Sequence, residues 1–118
     1  MVEFAMVLPL FVVLLFGIIQ FGIAFNNYVT LTDAARAGAR KAAVSRNSGD
    51  PSGDCKKAVL AAADNLDQTV LDPRVQCTSS WAAGSDVEVD ASYPYKISLF
   101  GLPVFSGDLK TVMKERVE

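Results

Sequence analysis

The chain has 118 residues, a net charge of −2 and no histidine. That length fits one small domain, and the near-neutral charge gives no sign of the basic surface that nucleic-acid binding usually needs. Without histidine there is no His-based triad, no imidazole general base and no His-ligated metal. Hydrophobic residues make up 51% of the chain and are concentrated at its N-terminal end.

The first predicted element is an apolar helix long enough to cross a membrane. Residues 4–32 contain no Asp, Glu, Lys or Arg, and residues 4–25 are almost wholly apolar. About 20 apolar residues cross roughly 30 Å of hydrocarbon, where the backbone must be helical. A cleavable secretory signal would start with basic residues and have a shorter apolar core. A soluble buried helix is rarely apolar on every side over this length. We therefore expect a membrane span.

Five residues interrupt the uniformity of this span. Glu3 either lies in water near the positive end of the helix dipole or needs a cationic partner within hydrocarbon. Pro9 predicts a kink or an opened turn. Gly17 and Gly22 allow close helix approach, although their five-residue spacing does not match the four-residue dimer motif. Gln20 either forms a hydrogen bond across helices or marks the polar boundary.

The helix is expected to continue beyond the apolar stretch. Residues 32–43 are rich in alanine, the best helix former, so a single rod of roughly 60 Å is predicted from about residue 3 to about residue 45. Its outer half carries a stripe of small residues, which should pack either on the rest of the chain or on the same helix of a neighbouring subunit. The stripe consists of Ala34, Ala35, Gly38 and Ala42.

After this rod the sequence predicts a loop and a second helix. Residues 46–54 combine Gly, Pro, Ser, Asn and Asp, which favour turns. Asp54 can cap a helix over residues 55–68 whose apolar side carries Val59 and Leu60.

The last third predicts strands. Residues 74–80 are a short candidate, and residues 86–95 alternate between apolar and polar side chains, which indicates a sheet with one wet face. Residues 97–105 are apolar but interrupted by glycine and proline, so a hydrophobic loop is expected, packed on the rod or forming a subunit contact. Residues 109–117 fit a strand or a helix. The predicted fold class is α+β: a long N-terminal helix and stalk (1–45) carrying a small head (46–118) with one helix and an antiparallel β-sheet.

The two cysteines, Cys55 and Cys77, predict a disulfide and hence an oxidising compartment, with two reduced buried thiols as the alternative. A bridge would tie the second helix to the first strand and stabilise the head by roughly 3 kcal/mol. No metal site is expected from two cysteines without histidine. Asp86, Glu88 and Asp90 share one strand face and could bind calcium, but a solvated face is the simpler interpretation.

The distribution of charged residues favours the opposite membrane orientation from the one that the disulfide indicates. Residues 33–46 carry Arg36, Arg40, Lys41 and Arg46 against Asp33 alone. The positive-inside rule would place this flank in the cytoplasm, whereas a basic leader before Met1 would reverse that assignment.

Two stretches of the rod resemble TadE-like proteins of the Tad (Flp) branch of type IV pilus systems. The first combines residues 2–10 (VEFAMVLPL) with residues 16–22 (FGIIQFG), and the second is residues 33–40 (DAARAGAR). The resemblance implies a type IV pilin-like fold and a pilin or pseudopilin, made with a short basic leader that a prepilin peptidase removes at the inner membrane. Glu3 then corresponds to the acidic residue near the mature N-terminus of pilins. The chain differs in carrying no leader and in having this glutamate third rather than fifth.

The resemblance further implies identical or related pilin subunits as partners through the N-terminal helix, the Tad assembly machinery, and a head that ends outside the cytoplasm on a surface filament. We expect Glu3 to pair with the N-terminal amine of an adjacent subunit and Pro9 to let the stalk bend. Gly17 and Gly22 are the candidate positions for close helix contact. We expect no cofactor and no nucleic-acid partner, and we do not expect the protein to be an enzyme. The alternative is a non-assembling, single-pass membrane-anchored envelope protein whose head binds a partner.

Overall fold

A computed structural model describes residues 1–99 and 101–118, with the side chains of residues 99 and 103–105 outside that description. The fold is α+β and pilin-like, as the sequence predicts: a long apolar helix is followed by a small head with a three-stranded antiparallel sheet of order β1-β2-β3. The elements are α1 (Val2–Ala43), α2 (Pro51–Ala62), α3 (Gln68–Leu71), a 3-10 turn (Asp72–Arg74), β1 (Val75–Thr78), β2 (Asp86–Leu99) and β3 (Leu102–Arg116).

The predicted rod is confirmed as a single α-helix of 42 residues, with Pro9 inside it. At 1.5 Å per residue α1 is about 63 Å long, and it sets the long dimension of a molecule measuring 71 × 22 × 19 Å. All four residues of the small stripe are buried, so the outer half of α1 packs on the rest of its own chain. Gly38 lies in close contact with α2, because a Cβ there would lie 2.2 Å from Cγ2 of Val59.

The second helix begins earlier and ends earlier than predicted. It starts at Pro51, because Asp50 rather than Asp54 is the N-cap: the Asp50 carboxylate accepts a hydrogen bond of 3.1 Å from the Gly53 amide. Proline fits the first helical position, where its missing N–H costs nothing. The carboxylate of Asp54 instead accepts a hydrogen bond from the Ser48 hydroxyl. The helical stretch stops at Ala62, and Gln68 belongs to the separate short helix α3.

The sheet confirms the predicted alternation. On β2 the side chains of Val87, Val89 and Ala91 are buried, whereas Asp86 and Asp90 point away from the core. The ambiguous last segment is a strand, since β3 pairs with β2 from Asp86↔Arg116 to Leu99↔Leu102.

The hydrophobic loop predicted over residues 97–105 is wrong in backbone terms. β2 runs to Leu99 and β3 starts at Leu102, with Gly101 at φ 80° between them. This left-handed conformation suits glycine and lets the hairpin turn tightly. Phe100, also part of that prediction, lies outside the described residues.

The core lies between the outer half of α1, α2 and one face of the sheet. Its largest fully buried side chains include Leu31, Leu71, Val59 and Val87. Cys55 and Cys77 form the expected disulfide, with their Cα atoms 6.4 Å apart, and this bond joins α2 to β1. The head is therefore built around residues 31–43 of the helix, and the preceding residues extend beyond it.

Candidate functional site: the exposed apolar half of α1

The N-terminal half of α1 leaves its apolar side chains uncovered. Phe4 is 71% exposed and Phe21 is 65% exposed, whereas Leu31 is fully buried. A soluble protein would not leave an apolar surface of this extent in water, so it must contact lipid or protein. Within the described residues, α1 is the single helix long and apolar enough to cross a membrane.

One side of this exposed half forms a shallow apolar groove that contains both candidate glycines. A Cβ on Gly17 or Gly22 would meet no atom within 4 Å, so both positions are open to an approaching neighbour. The lining residues recur at intervals of three and four, which places them on a single helical face. They are Leu14, Gly17, Ile18, Phe21, Gly22 and Phe25.

The groove lies beside the part of the helix that the head covers, and Phe21 and Phe25 line both the groove and the cleft shared with the head. The covered side runs through Gln20 and Ala24, which border recesses shared with the head, to the buried Leu31. The head nevertheless leaves Gly17 and Gly22 themselves open to a second helix.

Glu3 and Pro9 are not brought into this groove. Glu3 lies in the first turn of α1, about 21 Å along the axis from Gly17. Its side chain is exposed and has no ion-pair partner within the described part of the chain. Of the four predicted assembly residues, the structure thus groups the two glycines and leaves the other two nearer the N-terminal end.

Gln20 faces the head rather than the groove. It borders a small recess with Phe16 of the same helix and with Ser98 and Gly101 of the β2–β3 hairpin. A larger cleft of about 690 Å³ follows along the helix, between Phe21 and Tyr28 on α1 and the hairpin residues. The hairpin therefore lies alongside the apolar part of α1, well beyond the core of the head.

One residue of the acidic strand face, Glu88, forms an ion pair. Its partner is Lys114, at 3.3 Å, and Asp86 lies opposite Arg116 in the sheet register. No group of three or more metal-binding side chains occurs among the described residues.

Near the end of α1 the charges are exposed. Arg36 and Asp33 lie 3.7 Å apart with more than half of each side chain in solvent, so this pair contributes little to stability.

One carboxylate in the head has a perturbed pKa. The hydroxyl and the backbone amide of Thr69 donate hydrogen bonds to Asp67, and these bonds lower the pKa of its carboxyl below the ordinary 3.8. Asp67 caps α3, and its own backbone N–H donates to the Tyr93 hydroxyl at 3.2 Å. The carboxylate of Asp67 thus caps α3, and its backbone N–H links the start of α3 to the sheet.

The sequence indicated the glycines but missed the residues that complete the groove. Leu14, Ile18, Phe21 and Phe25 have the spacing of a helical face, yet every neighbouring position is also apolar. Because this stretch has no alternation of polar and apolar residues, the sequence does not distinguish one face of the helix from another. The side that the head covers is visible only in the structure.

Comparison with known proteins gives one family. Residues 1–40 match the family model described as TadE-like protein, which covers the exposed half of α1 and most of its packed half. TadE-like proteins are structural rather than catalytic, and the family implies an association with a Tad system. No curated protein and no solved structure gives a significant match.

Proposed function

We propose, from the match of residues 1–40 to the family model described as TadE-like protein, that the chain is a pilin or pseudopilin subunit of a Tad-type surface filament that assembles through α1. The single observation that carries the proposal is the open, glycine-lined groove on the exposed half of α1. Small residues let two helices approach closely, and the large side chains around them provide the packing.

The proposed subunit has two states. Before assembly the apolar half of α1 lies in the inner membrane with the head outside the cytoplasm, and after assembly the same surface packs against identical or related subunits. The chain then divides by role at residue 45, into a stalk (1–45) that is shared with neighbours and a head (46–118) that faces solvent. The Cys55–Cys77 disulfide supports an oxidising location for the head.

Cysteine cross-linking in cells that make the filament tests which face is shared. Ile18 lies in the groove and Ile23 lies on the other side of the helix, and the two are similarly exposed, at 61% and 54%. We expect Ile18→Cys to give cross-linked subunits under mild oxidation and Ile23→Cys to give far fewer. Equal cross-linking at both positions would show that the groove is not the contact.

Bulky substitution tests whether this contact builds a filament. Gly17→Leu and Gly22→Leu fill the groove, and we expect both to remove the protein from sheared surface filaments seen by negative-stain microscopy. Ile23→Leu is the control on the opposite face and should leave the protein in that fraction. If wild-type protein stays in the membrane and never enters filaments, the non-assembling anchored protein is the correct alternative.

Glu3 is proposed to pair with the N-terminal amine of an adjacent subunit and so to set the axial register. An unpaired charge in a dry helix bundle is costly, and removing one partner leaves the other uncompensated. Glu3→Gln should therefore reduce filament incorporation while the head keeps its disulfide and its fold. Asp33→Asn, at the other end of the uncharged stretch and exposed, is the matched control and should assemble normally.

A further inference from the structure

The β2–β3 hairpin consists of a part supported by the core and an extension that is not. The sheet has three strands only as far as Ala91, because β1 pairs with β2 from Thr78↔Glu88 to Val75↔Ala91. Beyond that point, in the described part of the chain, β2 and β3 pair only with each other. We call residues 92–98 and 106–110 the hairpin extension. None of their side chains is buried, and a two-stranded hairpin is only marginally stable by itself.

The hairpin extension lies along the apolar half of α1 without packing tightly on it. At its end, Ser98 and Gly101 border a recess with Phe16 and Gln20 of the helix. Nearer the core, a cleft of about 690 Å³ opens between the extension and the helix. No side chain of α1 before position 31 is buried. The contact between the two elements is therefore loose, with unfilled space between them.

The paired strands are weakest close to the start of the extension. Pro94 of β2 has no N–H to donate to its neighbour, and Gly107 of β3, opposite Tyr95, contributes no side chain to the pairing. Tyr93, one residue before the proline, is held in place because its hydroxyl accepts a hydrogen bond of 3.2 Å from the Asp67 amide. The strands are thus fixed up to Tyr93 and have a point of bending immediately after it.

A bilayer would need the same part of α1 that the extension occupies. Twenty helical residues counted from Phe4 span about 30 Å of hydrocarbon and reach residue 23. Gln20 and Phe16 would then lie about 5 Å and about 10 Å below the hydrocarbon boundary. If the bilayer ended before the recess, only residues 4–15 would remain, about 18 Å of helix, which is too short to cross it.

The docked extension cannot accompany the helix to that depth. Among the described residues, no strand pairs with the outer edge of β3 or with β2 beyond Ala91. Both edges therefore present backbone N–H and C=O groups that hydrocarbon cannot satisfy, and open sheet edges do not occur in the interior of a bilayer. Docking of the extension on α1 and full insertion of α1 into a membrane are therefore alternatives.

We infer that the hairpin extension is a movable cover for the membrane-spanning half of α1. While the helix spans the bilayer, the extension bends away near Pro94 and Gly107. When the helix leaves the bilayer, the extension docks along residues 16–28 and shields part of their apolar surface. The inference rests on the proposed membrane-anchored state of α1, and it adds a conformational change in the head that accompanies insertion and release.

A cysteine pair that locks the extension on the helix tests this inference in the full-length chain. Gln20 and Ser98 border the same recess, so the double variant Gln20→Cys/Ser98→Cys should form a disulfide on mild oxidation in detergent solution. Gln20→Cys alone is the matched control, because it cannot be locked. Both proteins are then reconstituted into phosphatidylcholine–phosphatidylglycerol vesicles with and without bromine on the acyl chains, which quenches tryptophan fluorescence.

A single tryptophan in each protein reports how deeply the helix is inserted. Trp81→Phe removes the one native tryptophan. Leu10→Trp then places a probe early in the span, and Ile19→Trp places one level with the recess. Both native side chains are exposed, at 70% and 49%, so neither substitution disturbs the core.

We expect bromolipid to cause loss of emission from both probes in the control, but only from Leu10→Trp in the locked protein. Quenching of Ile19→Trp in the locked protein would overturn the inference, because docking and full insertion would then be compatible. Failure of the pair to cross-link in detergent would also overturn it, since the extension would not be docked.

The control protein separates this inference from the proposed function. Quenching of Leu10→Trp without quenching of Ile19→Trp in the control would overturn the movable cover while membrane anchoring stands. Absence of quenching at both positions of the control, with no flotation of the protein with vesicles, would overturn the inference together with membrane anchoring.

Discussion

Gly38 shows how one residue fixes the approach of two helices. A Cβ at this position would lie 2.2 Å from Cγ2 of Val59 and 3.3 Å from the Cys55 carbonyl oxygen. We expect Gly38→Ala to destabilise the head by about 1–2 kcal/mol, because overpacking outweighs the gain in helix propensity. The measurement is denaturant unfolding of the detergent-solubilised protein.

Val59→Ala supplies the control for this contact. It removes the methyl group that Gly38→Ala would strike, so adding Val59→Ala should cost less in the Gly38→Ala background than in the wild type. Strictly additive losses of the two substitutions would show that the helices can separate freely at this point.

Asp67 predicts a pH-dependent contribution to stability. Hydrogen bonds from Thr69 lower the pKa of this carboxyl in the folded protein, so the stabilisation is complete above the ordinary pKa of 3.8 and is lost as the pH falls through the lower folded value. We expect Asp67→Ala to lower the urea midpoint at pH 7 and to have a smaller effect at pH 2–3. Asp64→Ala, at an exposed position three residues earlier, controls for the loss of one carboxylate at pH 7. A deficit in Asp67→Ala that is independent of pH would contradict the assignment.

Among the elements, α2 and β1 depend most on a covalent bond. The disulfide joins the buried Cys55 of α2 to Cys77 of β1 across a sequence separation of 22 residues. Replacing both cysteines by alanine should lower the free energy of unfolding by roughly 3 kcal/mol, since the unfolded chain regains its loop freedom. The measurement compares denaturation midpoints of wild-type and double-variant protein. Wild-type protein unfolded in the presence of dithiothreitol should match the double variant, and a wild type insensitive to the reductant would contradict the prediction.

The sequence predicted elements well where polar and apolar residues contrast. The alternation of β2 is confirmed because one of its faces is wet, with Asp90 outside and Val89 inside. The predicted start of α2 was wrong because Asp50 and Asp54 can both cap a helix. The proline at position 51 was the available cue, since it fits the first helical position only if Asp50 is the cap. The prediction of a loop over residues 97–105 was wrong because a glycine in an apolar segment can either interrupt a strand or form the turn between two strands. Gly101 forms such a turn.

At the scale of the whole molecule, the sequence predicted what the long helix is but not which side of it is open. The end of the uncharged stretch and the small stripe around Gly38 are local features, so the sequence predicted both. The groove beside Gly17 and Gly22 depends on where the head covers α1, and that position follows from long-range packing of the sheet. A uniformly apolar stretch does not indicate which side of the helix the head covers.

The two roles of α1 also predict how the chain tolerates truncation. Buried core residues begin at Leu31 and include Ala35 and Ala39, whereas no residue before position 31 is buried. A chain of residues 28–118 should therefore keep its disulfide, fold cooperatively and no longer associate with membranes through α1. A chain of residues 46–118 lacks the whole helical side of the core, and an exposed sheet face of this size does not hold a fold on its own. Circular dichroism and thermal unfolding distinguish the two, and a cooperative transition in the shorter chain would show that the head folds independently of its stalk.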